Sequence, residues 1–473
     1  MRYYSDKLDN THAFDFQEVQ GRTSAIAFVL GMLIISASIF LGKSYVFYIS
    51  FLLFSVFITL LWRNSFRPWI FLVMISAATP IYISNKMFPC NLIFALWFAI
   101  INRRHYFNLP NWVKVSIALV LLGFFTSSIN WISGDVVRNI ARQGAYLFNI
   151  FLGPSLFLAL AFMKIKDSSN HSSNLQGLLF CLIFPSTLIL ISAKVFGTVA
   201  NVWEASLHAD GFVQGYVQYS LGKVIIDFKR TGVGFILAAL ICASTAIVIS
   251  QVKVLYRLFA GACLTANVYL LFSSASFGSI FSCFCGLLAI FFTKMKKVGI
   301  ARTLVSVAAV FCAVIMVYNF LPSSTKDYLD KRYEHRVVEE DTDRFFLWSR
   351  AIEYFFEHPE GVGFTLTVGD KVKSNPHNDY LAFAVSYGII GGLAYPVLII
   401  GLLIYWHKNR NMIIEDNNAH AITLAGQGVI VAFFLNSMTD NIIANRWYFN
   451  VIWSLIWYCY FCSRAARMEC GRE

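Results

Sequence analysis

Charge is scarce in this chain. Of its 473 residues only 14% are Asp, Glu, Lys or Arg, against 58% hydrophobic, with a mean hydropathy of +0.62. A soluble domain carries about 25% charged residues, so an ordinary water-soluble fold is excluded. The long polar stretch 322–376 has no cysteine, and no disulfide framework holds it. Most cysteines (Cys181, Cys242, Cys263, Cys283, Cys285, Cys312, Cys459 and Cys462) lie in apolar runs, where they act as small hydrophobes. HExxH is missing, and no P-loop, GxSxG or Rossmann fingerprint stands between a strand and a helix. No repeat of 20–50 residues is visible, nor a low-complexity linker, which points to one domain over 1–473. The first 23 residues are polar and mixed in charge. No small-residue cleavage site follows the first apolar run, so no cleaved signal peptide is expected.

Long apolar runs take the place of what is missing. They fall near 24–41, 45–62, 69–84, 88–101, 112–133, 145–163, 176–198, 231–250, 258–274, 277–293, 303–321, 386–406, 421–438 and 447–463. Runs near 20 residues match the helical crossing of a bilayer, not the roughly ten residues of a barrel strand. The expectation is an all-α polytopic membrane protein of about 14 transmembrane helices. The two short runs around Pro80 and Pro89 are the weakest of the set.

The net charge is +12. In a soluble protein this would suggest nucleic acid, but in a membrane protein Lys and Arg gather in cytoplasmic loops. With the N-terminus cytoplasmic, alternation puts Arg63 and Arg67, Arg103 and Arg104, Lys164 and Lys166, Lys253 and Arg257, Lys294 to Arg302, and Lys408 and Arg410 inside. Every inner loop is then basic, no nucleic-acid partner is needed, and both tails, 1–23 and 464–473, are cytoplasmic. Two sizeable loops lie outside, 199–230 and 322–376. The second is too long for a mere connection. It carries its own helix signal from Arg344 to Phe356, ended by Pro359, Gly361 and Gly363. Arg344, Trp348, Ala351 and Phe355 share one face. This helix either lies in the membrane interface or packs on the rim of the bundle.

Cations on the outer side oppose the topology signal and need another reason to be there. They are Arg138, Arg142, Lys194, Lys229, Arg230, Arg344 and Arg350. The group suits phosphate, whose oxygens match the planar fork of Arg. Each taken singly also suits snorkelling or a salt bridge to Asp135, Asp227 or Asp343. His377, after Pro376, opens a helical pattern at the outer mouth of the bundle. Its imidazole can take a proton near neutral pH, with Asn378 or Asp379 to orient it. Asp341-Thr342-Asp343 spells a metal motif of nucleotide-sugar enzymes but lacks their soluble α/β domain. His358 and His377 have no metal-ligand spacing, so no metal and no cofactor is expected. Trp203, Tyr216, Tyr219, Trp348 and Tyr354 could stack on sugar rings or anchor the chain at the interface.

The string Arg344, Trp348, His358, Pro359, Gly361, Gly363, then His377, Asn378, Tyr380, Leu381, then Gly388, Ile389, Ile390, Gly391 resembles the O-antigen ligase/polymerase superfamily of bacterial surface polysaccharide. Arg230 and Gly232 match a second motif. One position departs: in Ser274-Ala275-Ser276-Phe277-Gly278, Phe277 stands where relatives often have arginine. Either another cation such as Arg138 or Lys194 serves here, or the site differs.

The resemblance implies inverting, metal-independent glycosyl transfer at the periplasmic face of the bacterial inner membrane. The donor would be an oligosaccharide on undecaprenyl pyrophosphate, and the acceptor a second glycan or lipid A-core. Membrane lipids surround the enzyme, and a chain-length regulator and a flippase are the other partners it admits. His377, Arg344 and Arg230 would be catalytic. Arg350, Arg138, Arg142, Lys194, Lys229, Trp348, Asn378 and Tyr380 would bind pyrophosphate or sugar. The helix count and the two large outer loops side with polymerase over ligase. A flippase or other transporter stays open, although its polar sites would sit near the midplane, where these spans are almost uncharged. A non-catalytic assembly subunit stays open too.

Overall fold

The computed structural model describes residues 90–101, 110–127, 171–196, 216–221, 224–274, 276–299, 343–362, 376–409, 416–439 and 446–469, with scattered residues in 73–87 and 301–330. The expected spans 24–41, 45–62 and 145–163 lie outside these residues. A short hairpin pairs β1 (Tyr82–Ile83) with β2 (Lys86–Met87), between the two proline-flanked runs. The run 69–84 is therefore not helical to its end. α1 (Cys90–Ile101) and α2 (Asn111–Ser127) follow.

α3 (His171–Gly177) continues through a π-helical turn, Leu178–Ile183, into α4 (Phe184–Phe196). Pro185 lacks an N–H and crowds the turn before it. The ladder widens just ahead of it, where the Phe184 N–H reaches back to the Leu179 carbonyl. A second hairpin, β3 (Tyr216–Leu221) with β4 (Val224–Lys229), occupies the loop 199–230. Its strands are rich in β-branched and aromatic residues. Gly222 is the first of the two residues joining them, a tight-hairpin preference that the apolar-run reading passed over. β4 leads without a break into α5 (Arg230–Ile249).

The remaining helices are α6 (Val254–Ser274), α7 (Phe277–Val298), α8 (Asp343–Glu357), α9 (Asp379–Asn409), α10 (Asn417–Thr439) and α11 (Arg446–Glu469). Among the described residues, six helical stretches are long and apolar enough to cross a membrane: His171–Ile191, Gly232–Ile249, Val254–Ser274, Phe277–Met295, Asp379–Lys408 and Asn417–Thr439. The protein is a helical, multi-pass membrane protein, with its β structure confined to connections.

α5 and α10 are buried almost all round, and α6 and α7 show one apolar face outward, including Leu255, Leu258, Phe281 and Phe292. In lipid that outward face has nothing to hide from, so packing must hold the bundle together. Small residues permit it. On α7, a Cβ added to Gly286 would sit 2.6 Å from Cys242 Sγ of α5 and 2.7 Å from the Gly428 carbonyl of α10. On α2, a Cβ on Gly123 would sit 2.6 Å from the Gly391 nitrogen of α9. α11 is aromatic and buried throughout, with Trp453 and Trp457 stacked 5.6 Å apart. Polar cross-links join distant parts: Asn91 Nδ2 donates to Asn450 Oδ1 at 2.9 Å, and Asn267 Nδ2 to Thr187 Oγ1 at 3.0 Å.

The α5–α7–α10 crossing makes a measurable prediction. Gly286→Val forces backbone apart at a contact with no slack and destabilises the bundle by about 1–3 kcal/mol. A lower midpoint in a thermal unfolding scan of the detergent-solubilised protein checks it. An unchanged midpoint removes this crossing as a packing determinant.

Candidate functional site

α8 forms where the loop pattern placed it, over Asp343–Glu357. Its inner face carries Ala351, which is fully buried against Val385 of α9, with Tyr354, Phe355, Val362 and Leu381 packed around the pair. Trp348 lies on the same face, with Phe345 edge-on at 5.5 Å. Its indole N–H is buried and meets no hydrogen-bond partner among the described residues. The other face shows Phe345, Phe346, Ile352 and Phe356. The helix therefore sits on the bundle rim with an apolar outer face, which joins the two alternatives left open by the sequence.

The two arginines of α8 have different surroundings. Arg350 donates to Glu353 at 2.9 Å, with both side chains more than half exposed, and lies over the Phe346 ring. Arg344 is half-buried, and among the described residues no carboxylate pairs with it.

α8 ends in a turn. The His358 N–H donates to the Tyr354 carbonyl at 3.0 Å, and the Gly361 N–H to the His358 carbonyl at 3.0 Å. His358 leans on the Tyr354 ring and lies 3.6 Å from a Glu360 oxygen, which makes it part of the turn. Gly361 has φ +86° and is buried. The turn meets α9 where that helix is broken, at Gly388, with φ +64° and ψ −163°.

His377 has φ +49°, a left-handed conformation that few residues other than glycine adopt. It is partly buried and immediately precedes the cap of α9. Asn378 is that cap: its Oδ1 accepts the Leu381 N–H at 3.1 Å, satisfying a helix-end donor. Its Nδ2 donates to the Met438 carbonyl at 3.3 Å, and Tyr380 Oη donates to the Phe434 carbonyl at 3.2 Å. Both side chains hold α9 against the end of α10. Asp379, fully buried in the first turn, has a helix N-terminus to favour its charge.

The same end of the bundle collects the second motif. A Cβ on Gly278, at the start of α7, would meet Thr439 Oγ1 at 2.8 Å, beside Met438. A Cβ on Gly234 would meet Ser279 Oγ at 2.6 Å and Ser276 Cβ at 2.7 Å, and the two hydroxyls of that pair are 3.0 Å apart. Arg230 starts α5 one turn before Gly234. The backbone thus brings the start of α5, the start of α7, the end of α10 and His377 to one end of the bundle. The side chains of Lys229 and Arg230 lie outside the described residues, as do Arg138 and Arg142 altogether. Lys194 lines a cavity of about 380 Å³ between α4 and α6, with Ile191, Thr265, Tyr269, Leu270 and Phe320. Phe277 packs with Leu321, Leu329, Phe272 and Tyr318. An apolar plug fills the position where relatives often carry a cation.

Residues 259–396 match the family model described as O-antigen ligase. The matched stretch is less than half of the chain. It runs from α6 into α9 and so holds Phe277, Arg344, the 358–361 turn, His377 and Gly388, while Arg230 precedes it. No curated protein matches the chain. Within the matched segment, the sequence motifs hid two things. Asp379 is wholly buried, a state no local pattern announces. The spaced glycines mark a contact between two elements, and their spacing was the visible signal.

The Asn378 cap makes a second prediction. Asn378→Ala removes one capping bond and one bond to α10, and lowers stability by about 1 kcal/mol or somewhat more. Thermal unfolding of the purified protein measures it. Asn378→Asp keeps the cap and recovers part of the loss.

Proposed function

We propose that the protein is a membrane glycosyltransferase acting at the outer face of the bacterial inner membrane. It transfers a glycan from undecaprenyl pyrophosphate to a sugar hydroxyl, and the best reading is polymerisation of a surface polysaccharide. The observation that carries this is the docking of the Arg344 helix on the first two turns of the helix that His377 opens, through Ala351 and Val385. An anion-binding group and a proton acceptor are thereby tied to one rigid element. The family match of residues 259–396 supports glycosyl transfer in surface-polysaccharide synthesis.

The proposed chemistry is a single displacement. The acceptor oxygen attacks the anomeric carbon of the donor from the face opposite the pyrophosphate. Its bond to carbon forms as the bond from carbon to the pyrophosphate oxygen breaks, which inverts that centre. The electron pair leaves on the pyrophosphate, and the hydroxyl proton passes to the His377 imidazole. Arg344, with Arg230 at the start of α5, stabilises the charge growing on the leaving group. Preorganised donors of this kind typically contribute about 3–4 kcal/mol each. The left-handed backbone at His377 fits a role in the site, since strained residues persist where surrounding structure holds them for function.

The ligase reading is favoured by the description of the matched family itself, and it differs only in the acceptor, lipid A-core. One set of strains separates the possibilities. His377→Ala and Arg344→Ala, expressed at normal levels in a strain lacking the protein, each lose long-chain lipopolysaccharide on a gel. Arg344→Ala lowers the transfer rate by about 100-fold or more. Normal long chains from both variants overturn the enzyme reading. In the strain lacking the protein, a single repeat capping the core means polymerase, polymer stranded on the lipid carrier means ligase, and repeats trapped on the cytoplasmic side mean flippase.

A further inference from the structure

We propose that the turn after α8 and the break in α9 form one backbone interlock that sets the position of Arg344 relative to His377, with Gly361 and Gly388 as positioning residues. The proposal rests on the glycosyl-transfer reading of those two side chains.

In an unbroken α-helix the Ile389 N–H would donate to the Val385 carbonyl. Gly388 breaks the ladder at this bond, and neither group is left over. The Ile389 N–H donates to the Pro359 carbonyl at 2.9 Å, and the Val385 carbonyl accepts the Val362 N–H at 3.1 Å. The turn is spliced into the helix, one bond on each side of the break.

The fit excludes side chains at both glycines. A Cβ on Gly361 would lie 2.8 Å from the Ser386 carbonyl oxygen, and one on Gly388 would lie 2.5 Å from the Glu360 carbonyl carbon. Their positive φ values, +86° and +64°, make an L side chain strained there as well. Each glycine is thus required by backbone of the segment that carries the other, although the two segments stand far apart in sequence.

The interlock controls an angle. α8 is held on α9 at two places, the Ala351–Val385 packing and the spliced turn that follows Glu357. Without the second, α8 pivots on the first. Arg344 lies seven residues from Ala351, about 10 Å along the helix at 1.5 Å per residue, so a tilt of about 6° moves it about 1 Å. Displacements of about 1 Å from a productive geometry cost on the order of 100-fold in rate. Opening the splice leaves α9 able to remake its own Val385–Ile389 bond, so the helix survives while the angle is lost.

The test uses the purified full-length protein and a synthetic undecaprenyl-pyrophosphate-linked oligosaccharide, with kcat and KM measured per folded molecule. Gly361→Ala and Gly388→Ala lower kcat on the order of 100-fold. Their KM for the donor stays within about threefold, because a transition-state contact is lost and not ground-state binding. Gly401→Ala, which crowds Trp112 away from the site, lowers thermal stability and leaves kcat per folded molecule unchanged. Wild-type kcat in both glycine variants, with His377→Ala inactive, overturns the interlock alone. Failure of both variants to fold assigns the glycines to folding and also overturns it. An active His377→Ala overturns the functional reading and the interlock with it.

Discussion

Backbone amides and carbonyls inside a bilayer have no water to bond, so each must find a partner in the protein. A helix that spans lipid can be broken only where another segment takes up the freed groups. α9 is broken at Gly388, and the turn from His358 to Val362 supplies both partners. This exchange holds the loop helix against the bundle. Without it, α8 would rest on the Ala351–Val385 contact and a few aromatic neighbours.

The rest of the candidate site is built around α9. Asn378 closes the helix start and reaches α10, Tyr380 reaches α10 as well, and Asp379 between them is fully buried. α10 in turn touches α7 at Thr439 and Gly278, and α7 touches α5 at Ser276, Ser279 and Gly234. These contacts gather the starts of α5, α7 and α9 and the end of α10 at one end of the bundle. Phe277, partly buried, packs against an apolar cluster with Leu321 and Leu329.

Much of this was legible before the structure. α8 is written in the loop as Arg344 to Phe356 between breakers, and it forms within one residue of those bounds. The spans over 231–250, 258–274, 277–293 and 421–438 coincide with α5, α6, α7 and α10, because a bilayer demands long uninterrupted apolar helices and composition reports them directly. The hairpin at Tyr216–Lys229 was passed over, since six-residue strands leave a weak mark beside helices of twenty. Among the candidate site residues, the motif resemblance set Arg344 apart from Arg350, and the pairing of Arg350 with Glu353 came only from the structure.

The sequence by itself determined the membrane class, the helical architecture of the spans, the α8 segment and the family signature, because these follow from composition and local order. Tertiary structure decided which motifs meet. Gly361 and Gly388 read separately as a residue ending the loop helix and as one position of a second motif. Packed together they are two sides of one contact too close for a side chain. Hydrogen-bond exchange between distant segments depends on where the chain returns in space, and no local pattern carries that information.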